Sequence, residues 1–251
     1  MNDYREEPCP FPGSTLYLPV GQEVRGGVVF FPGSEGRRLG GYQDVIARYL
    51  AAQGYLVLVF ASWGHRECPV PGLPPFVIGI ELERSIAAIT WLQAYPGMQG
   101  KKTALWGFSR GAEQVLILAS TQQDPSLPRI DVIAVHAVNS HTESGYYSVG
   151  QYVYPYCFEP RAWSWQGQYW PVWQPIAIEH FPRPILLSHA VEDEIWSFER
   201  AKVLAARAKD KRSPDAVLET HYLANEKHLF SREAMFSHVE NVLRFFHRHL
   251  Q

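Results

Sequence analysis

Ser109 stands in Gly107-Phe108-Ser109-Arg110-Gly111, a spacing in which two residues without a β-carbon bracket a hydroxyl. The apolar run Thr103-Ala104-Leu105-Trp106 precedes it. Ala112, Val115, Leu116 and Ala119 follow at helical spacing, so the serine is expected at a sharp strand-to-helix turn. Such a turn holds the hydroxyl above the sheet. The helix N-terminus beneath it favours the negative charge that develops when Oγ attacks a carbonyl. A serine placed this way suits acyl transfer through a covalent intermediate.

A hydroxyl needs a base to take its proton, and an imidazole needs an acid to hold its tautomer. In a sheet of this kind the expected chain order is serine, acid, histidine. Glu192, Asp193 and Glu194 follow the apolar run Ile185-Leu186-Leu187. Asp193 is the preferred acid because it stands several residues past the strand end, where the loop can turn it inward; Glu192 and Glu194 remain alternatives. His228 lies between the last expected strand, Leu218 to Leu223, and the last expected helix, and is the preferred base. The oxyanion of a tetrahedral intermediate needs two backbone N–H donors. Arg110, just after the serine, is expected to supply one, and Ser34, in the turn Pro32-Gly33-Ser34-Glu35-Gly36, the other.

These groups require a scaffold, and the chain alternates short β-rich runs with segments of helical period. Val28 to Phe31, Leu56 to Phe60, Thr103 to Trp106, Val132 to Val135, Ile185 to Leu187 and Leu218 to Leu223 read as strands. Helical stripes are expected through Val45, Ile46, Tyr49 and Leu50, ended by Gly54; through Leu82, Ile86, Ile89 and Leu92; and through Met235, Val239, Val242 and Phe246 near the C-terminus. The pattern predicts an α/β fold, a mostly parallel central sheet with helices on both faces, and residues 1–251 are expected to form a single domain. One stretch departs from it. Eleven aromatic residues crowd between Tyr146 and Trp173 without a sustained period. We expect residues 141–181 to be a loop-rich lid or substrate-binding insertion. Tyr152, Trp163, Trp165 and Trp170 within it, with Glu35 and Trp196, are candidate substrate contacts. Arg37 and Arg38 are expected to be a solvated basic turn, with contact to a substrate anion as the alternative.

Composition adds exclusions. A formal charge of −2 with 19% charged residues gives no basis for nucleic acid or an anionic membrane as partner. No apolar run approaches the length of a membrane span, and Met1 to Glu7 lacks the character of a signal peptide, so a cytoplasmic protein is expected. Cys9, Cys68 and Cys157 are too scattered for a disulfide framework or a metal site. Neither a metal nor a cofactor is required by the chemistry above.

With these residues placed, the chain resembles the catalytic domain of the acyl-CoA thioesterase and bile acid-CoA:amino acid N-acyltransferase family of the α/β-hydrolase superfamily, close to the dienelactone hydrolases. Gly107-Phe108-Ser109-Arg110-Gly111-Ala112-Glu113 is similar to that family's Gly-x-Ser/Cys-Lys/Arg-Gly-Ala-Glu block, and Asp193-Glu194-Ile195-Trp196 to its Asp-x-x-Trp acid loop. The turn from Pro32 to Gly36 resembles its oxyanion loop. The resemblance covers roughly residues 26–250. It implies a small-molecule acyl thioester or carboxylic ester as substrate, with acyl transfer to an amine or alcohol, or a dienelactone hydrolase-like esterase activity, as alternatives. The family commonly carries an N-terminal β-sandwich, whereas fewer than 30 residues precede Val28 here, so a contribution of such a domain to acyl-CoA recognition is not expected; its transferase branch typically uses cysteine where this chain has Ser109, which favours hydrolysis. A reading of another class, a catalytically silent member of the fold serving as a receptor, is set against the complete order of the three residues.

Overall fold

The computed structural model describes residues 3–33, 42–61, 64–67, 76–142, 145–149, 152–159, 163–171 and 173–251, with the side chains of 64–67, 76–79, 145–149 and 152–159 outside the description. Its frame is an eight-stranded sheet. The strands are β1 (Tyr4–Glu7), β2 (Thr15–Pro19), β3 (Gly26–Phe31), β4 (Tyr55–Val59), β7 (Thr103–Phe108), β8 (Val132–His136), β13 (Ile185–Ala190) and β14 (Leu218–Leu223), in the order β1-β2-β4-β3-β7-β8-β13-β14. From β4 to β14 all neighbours run parallel, while β1 and β2 pair antiparallel at one edge.

The strands read as unbroken apolar runs because both faces of the sheet are covered. Period-2 alternation then sorts each run between two cores. Val29, Phe31, Leu105, Ile133, Val135 and Leu187 face one side, where they meet Ile89 and Leu92 of α2 (Leu82–Gln93), Val115 and Leu116 of α3 (Arg110–Ser120), and Leu204 of α4 (Phe198–Lys211). Val28, Phe30, Ala104, Trp106, Val132 and Ala134 face the other, against Ile46 and Leu50 of α1 (Tyr42–Ala52) and Val239, Val242 and Phe246 of α5 (Arg232–His249). Each fully buried Val, Leu, Ile or Phe among them contributes roughly 1.5–3 kcal/mol relative to exposure. The expected parallel sheet with helices on both faces is the observed architecture.

Two helices differ from expectation. On α1 the buried face is Gln43, Ile46, Ala47, Leu50 and Ala51, whereas Val45 is 51% exposed. The alanines let the helix lie close to the sheet, which turns Val45 outward, and Tyr49 instead hydrogen-bonds Glu240 of α5. The helix α4 has no expected counterpart, because its buried stripe is mainly alanine, Ala201, Ala205 and Ala208 around Leu204, and carries little hydrophobic contrast.

The aromatic stretch is also more regular than its sequence suggests. It contributes β9 (Gly145–Val149), β10 (Tyr152–Glu159), β11 (Trp163–Trp165) and β12 (Gln168–Tyr169) to a second sheet built around β6 (Phe76–Glu81), with β5 (Gly64–Glu67) pairing to β6. Trp163 pairs with Ile80 in parallel register. Tyr152, Tyr154, Tyr156 and Phe158 alternate along β10, and Trp163 and Trp165 along β11, but the apolar Val153, Pro155 and Cys157 set between them hide the period-2 contrast in the sequence.

Behind the C-terminal ends of β7 and β8 lies a column of histidines, of which His136 and His238 are buried and His221 is half-buried. His136 stacks on Phe108 at 5.1 Å and meets His238 of α5 at 5.1 Å; His238 in turn lies 6.5 Å from His221 of β14. The His238 ring has no hydrogen-bond partner among the described residues. Burial, then the neighbouring His221, pushes His238 down to about 3. A histidine depressed in the folded state leaves stability untouched above its unfolded value near 6.5 and erodes it as pH falls below that, because the unfolded chain binds the proton that the folded ring refuses. By pH 4 this site alone removes about 3 kcal/mol. His238→Phe is expected to flatten the fall of thermal stability between pH 6.5 and 4, as read by circular dichroism.

Candidate active site

The chain leaves β7 at Phe108 and enters α3 at Arg110, so Ser109 alone must make the turn. It does so at φ 52, ψ −122, a conformation that costs a non-glycine residue on the order of 1–3 kcal/mol. The turn is clamped from both sides: the Ser109 N–H donates to the His136 carbonyl at 2.9 Å, and the Ser109 carbonyl accepts from the Glu113 N–H at 3.1 Å. Both flanking glycines are sterically required. A β-carbon on Gly107 would run into the Gly111 carbonyl and lie 2.7 Å from the Ala112 Cα; one on Gly111 would strike the Phe31 carbonyl oxygen and lie 2.6 Å from its carbon. Gly111 therefore lets the start of α3 press against the C-terminal end of β3. The Arg110 amide lies in the first turn of that helix, where N–H groups have no intrahelical partner.

Two further loops converge on Ser109. His228, between β14 and α5, is 4% exposed, and its Nε2 lies 2.8 Å from Ser109 Oγ. Its Nδ1 lies 3.0 and 2.9 Å from the two carboxylate oxygens of Asp193. An ionised carboxylate can only accept, so Nδ1–H donates to Asp193 and Nε2 is left to accept the Ser109 O–H. Asp193 Oδ1 also accepts from the N–H groups of Ile195 at 2.9 Å and Trp196 at 2.8 Å. Burial opposes ionisation of Asp193, yet the His228 hydrogen bond and charge, with the Trp196 and Ile195 amides, outweigh it and hold the carboxyl below its ordinary value.

Of the three acids after β13, Asp193 is the one that meets the imidazole. Glu194 instead accepts the backbone N–H of His228 at 3.1 Å, and Glu192 is exposed, its own N–H donating to the Glu226 carbonyl at 3.1 Å. These bonds brace the acid loop against the histidine loop. Phe108 and Trp196 pack against the His228 ring at 5.7 and 5.8 Å.

The other predicted site residues divide. Ser34 and Glu35, with Arg37 and Arg38, lie outside the described residues, and for Tyr152 only the backbone, in β10, is described. Trp165 and Trp170 are half-buried and pack against the core on the α3 side of the sheet. Trp196 is 4% exposed and forms part of the wall beside His228. Trp163 has no exposed surface at all. Its indole N–H donates to Glu113 Oε1 at 2.8 Å, while Glu113 Oε2 pairs with Arg110 at 2.7 Å and the Arg110 guanidinium lies 5.7 Å from the Trp163 ring centre. Arg110 and Glu113, which the sequence offers only as a matching block beside the serine, thus form a buried ion pair that ties the second sheet to the first turn of α3. Trp163→Phe removes a buried donor from that carboxylate and is expected to cost about 1–3 kcal/mol, measured by denaturant unfolding.

His189 is the residue that reading the sequence missed. It lies behind Asp193, its Nε2 3.6 Å from the carboxylate, and the only sequence signal is its place four residues before the acid at the end of an apolar run. Among the described residues no group of three or more His, Cys, Asp or Glu could hold a metal ion, no helix is long and apolar enough to cross a membrane, and Cys9 is a free thiol.

A parallel sheet of this order, with a serine at the turn from its central strand β7 into a helix and an acid and a histidine delivered by loops after later strands, is the α/β-hydrolase fold. Solved structures bear this out. The esterase domain of a Rhodothermus marinus protein superposes with a TM-score of 0.63 at 20% identity, covering 95% of this chain and 93% of that one. The dienelactone hydrolase from Anabaena variabilis superposes with a TM-score of 0.61 at 15% identity, covering 99% and 100%. In sequence, 107 residues are 31% identical to acyl-coenzyme A thioesterase 5 of Mus musculus; the match takes in 43% of this chain and spans 23% of that protein's length. No protein-family model matches the chain.

Proposed function

We propose that the chain is a serine hydrolase that cleaves an acyl thioester or carboxylic ester, with Ser109 as nucleophile, His228 as base and Asp193 as the acid that orients it. The observation that carries this reading is the unbroken line from Ser109 Oγ to His228 Nε2 at 2.8 Å and from His228 Nδ1 to Asp193 at 2.9 Å, built on a strained turn. Strain of this kind persists only where surrounding structure enforces it, and it concentrates at active sites.

In this reading Ser109 Oγ attacks the acyl carbon as its proton passes to His228 Nε2, and the Arg110 and Ser34 amides receive the oxyanion. Collapse of the tetrahedral intermediate expels the thiol or alcohol, which takes the proton from Nε2. Water then attacks the acyl-enzyme, its proton passing to Nε2, and collapse returns the proton to Ser109 as the carboxylic acid leaves. Asp193, held ionised, stabilises the imidazolium in both halves. Glu35, Tyr152, Trp165 and Trp170 are read as contacts for the acyl group, with residues 141–181 as an apolar wall of one hydrolase domain spanning 1–251; Trp163 and Trp196 act by fixing that wall and the acid loop. The protein is read as cytoplasmic, needing no metal or cofactor.

The thioester is favoured by the match to the mouse thioesterase together with the Arg-Gly-Ala-Glu block beside Ser109. A panel of acyl-CoA thioesters from short to long, set against matched oxygen esters, tests it. The expected result is release of the free acid, with kcat/KM for the best thioester above that for its oxygen ester. Acid release from neither series by folded protein would overturn the hydrolase reading; an acyl product formed only when an amine or alcohol is added would replace hydrolysis with transfer.

A further inference from the structure

His189, the penultimate residue of β13, has no exposed surface and both ring nitrogens engaged. The Val138 N–H donates to its Nδ1 at 3.0 Å, and its Nε2 lies 2.9 Å from the Trp196 carbonyl oxygen. An amide hydrogen pointing at Nδ1 leaves that atom only the acceptor role, so the proton of the neutral ring is on Nε2 and is donated to Trp196. The same Nε2–H faces Asp193 Oδ2 at 3.6 Å. Trp196 is thus held at both ends of one peptide pair: its carbonyl by His189, its N–H by Asp193 Oδ1 at 2.8 Å. Val138 follows β8, the strand whose His136 carbonyl also clamps the Ser109 N–H, so the acid loop is referenced to the same strand end as the nucleophile.

We propose that His189 is a positioning residue for the hydrolytic reaction: a neutral Nε2–H imidazole that anchors the Trp196 carbonyl, and through it the loop that aims the Asp193 carboxylate at His228. Its chemistry suits the task. A lysine or arginine there would neutralise Asp193 and weaken its hold on the imidazolium, whereas a neutral donor orients the carboxylate and leaves its charge to His228. Burial, with the nearby His228, outweighs Asp193 and the Trp196 carbonyl and holds the His189 ring below its ordinary value, while the Val138 amide occupies Nδ1. The ring therefore stays a donor of fixed direction while His228 gains and loses its proton.

The inference rests on the reading of Ser109, His228 and Asp193 as catalytic, and two substitutions separate it from mere structural support. Asparagine carries its amide at the level of Nδ1, so His189→Asn keeps an acceptor for Val138 and loses the tie to Trp196. Glutamine reaches the level of Nε2, so His189→Gln keeps the tie to Trp196 and loses the acceptor for Val138. Each loses one buried hydrogen bond, and comparable losses of thermal stability are expected. Their kinetics should differ: kcat of His189→Asn falls roughly 10–100-fold with KM nearly unchanged, while His189→Gln stays within about 3-fold of the unmodified protein. Equal kcat for the two variants, or a loss confined to KM, overturns the proposal. The unmodified protein and Ser109→Ala run in the same assay: an inactive unmodified protein defeats the hydrolase reading itself, while an active one with indistinguishable Asn and Gln variants defeats only the role of His189. A measurement independent of variant folding is the ¹⁵N spectrum of the histidine rings in the unmodified protein. The ring that couples to the Val138 amide, and is thereby assigned to His189, is expected to be the neutral Nε2–H tautomer at pH 8; an Nδ1–H tautomer or a protonated ring there overturns the proposal.

Discussion

Ser109→Ala is expected to lower kcat by roughly 10⁴-fold or more on every ester or thioester the protein turns over, leaving a residue of activity from the oxyanion donors. The physical ground is that His228 would hold its proton-accepting nitrogen toward a methyl group, with no nucleophile within reach. The same reasoning predicts that His228→Ala costs a comparable factor and that the double variant is no worse than either single one, because the three groups act as a unit. Alanine at position 109 inherits the same backbone strain as serine, and the clamps from His136 and Glu113 use only backbone atoms of residue 109, so the fold should survive unchanged. Steady-state rates with the most reactive substrate, alongside near-ultraviolet circular dichroism, check both halves.

The largest effect on stability is expected from Gly111→Ala. The new methyl would run into backbone, the Phe31 and Pro32 carbonyls at the end of β3, and neither can move aside as a side chain would. Relief requires the start of α3 to back away from the sheet, at a cost of about 3 kcal/mol or more. For a chain of this size that corresponds to a melting point roughly 6–12 °C lower. Activity should fall beyond the loss of folded protein, because the Arg110 amide moves with the helix. A Gly111→Ala protein that melts normally and keeps full kcat would show that the close approach of α3 to β3 is not needed.

What could be read from the residues alone follows from how each signal is written. The parallel strands were legible because burial on both faces makes them continuous apolar runs, and the turn at Ser109 because glycine is demanded at two fixed offsets by backbone contacts of α3 with the end of β7 and with β3. Asp193 and His228 followed from chain order, and the structure brings both to Ser109. Illegible were features whose determinants lie in partners distant in sequence. The α4 helix buries alanines, which carry little contrast. Val45 faces outward because of how α1 approaches the sheet. Trp163 looked like a substrate contact because an aromatic among aromatics offers no hint that Glu113, fifty residues earlier, takes its indole N–H. His189 was passed over because a histidine at a strand end is ordinary until Val138 and Trp196 are seen on its two nitrogens.

Hydrolysis by this chain requires Ser109 as an activated nucleophile, and the most direct measurement is covalent labelling with a fluorophosphonate probe followed by mass mapping of the modified peptide. The predicted result is a single adduct on Ser109, formed by the unmodified protein and absent from Ser109→Ala, with His228→Ala labelling far more slowly. A folded protein that takes up no probe, or that carries the adduct on another residue, would contradict it.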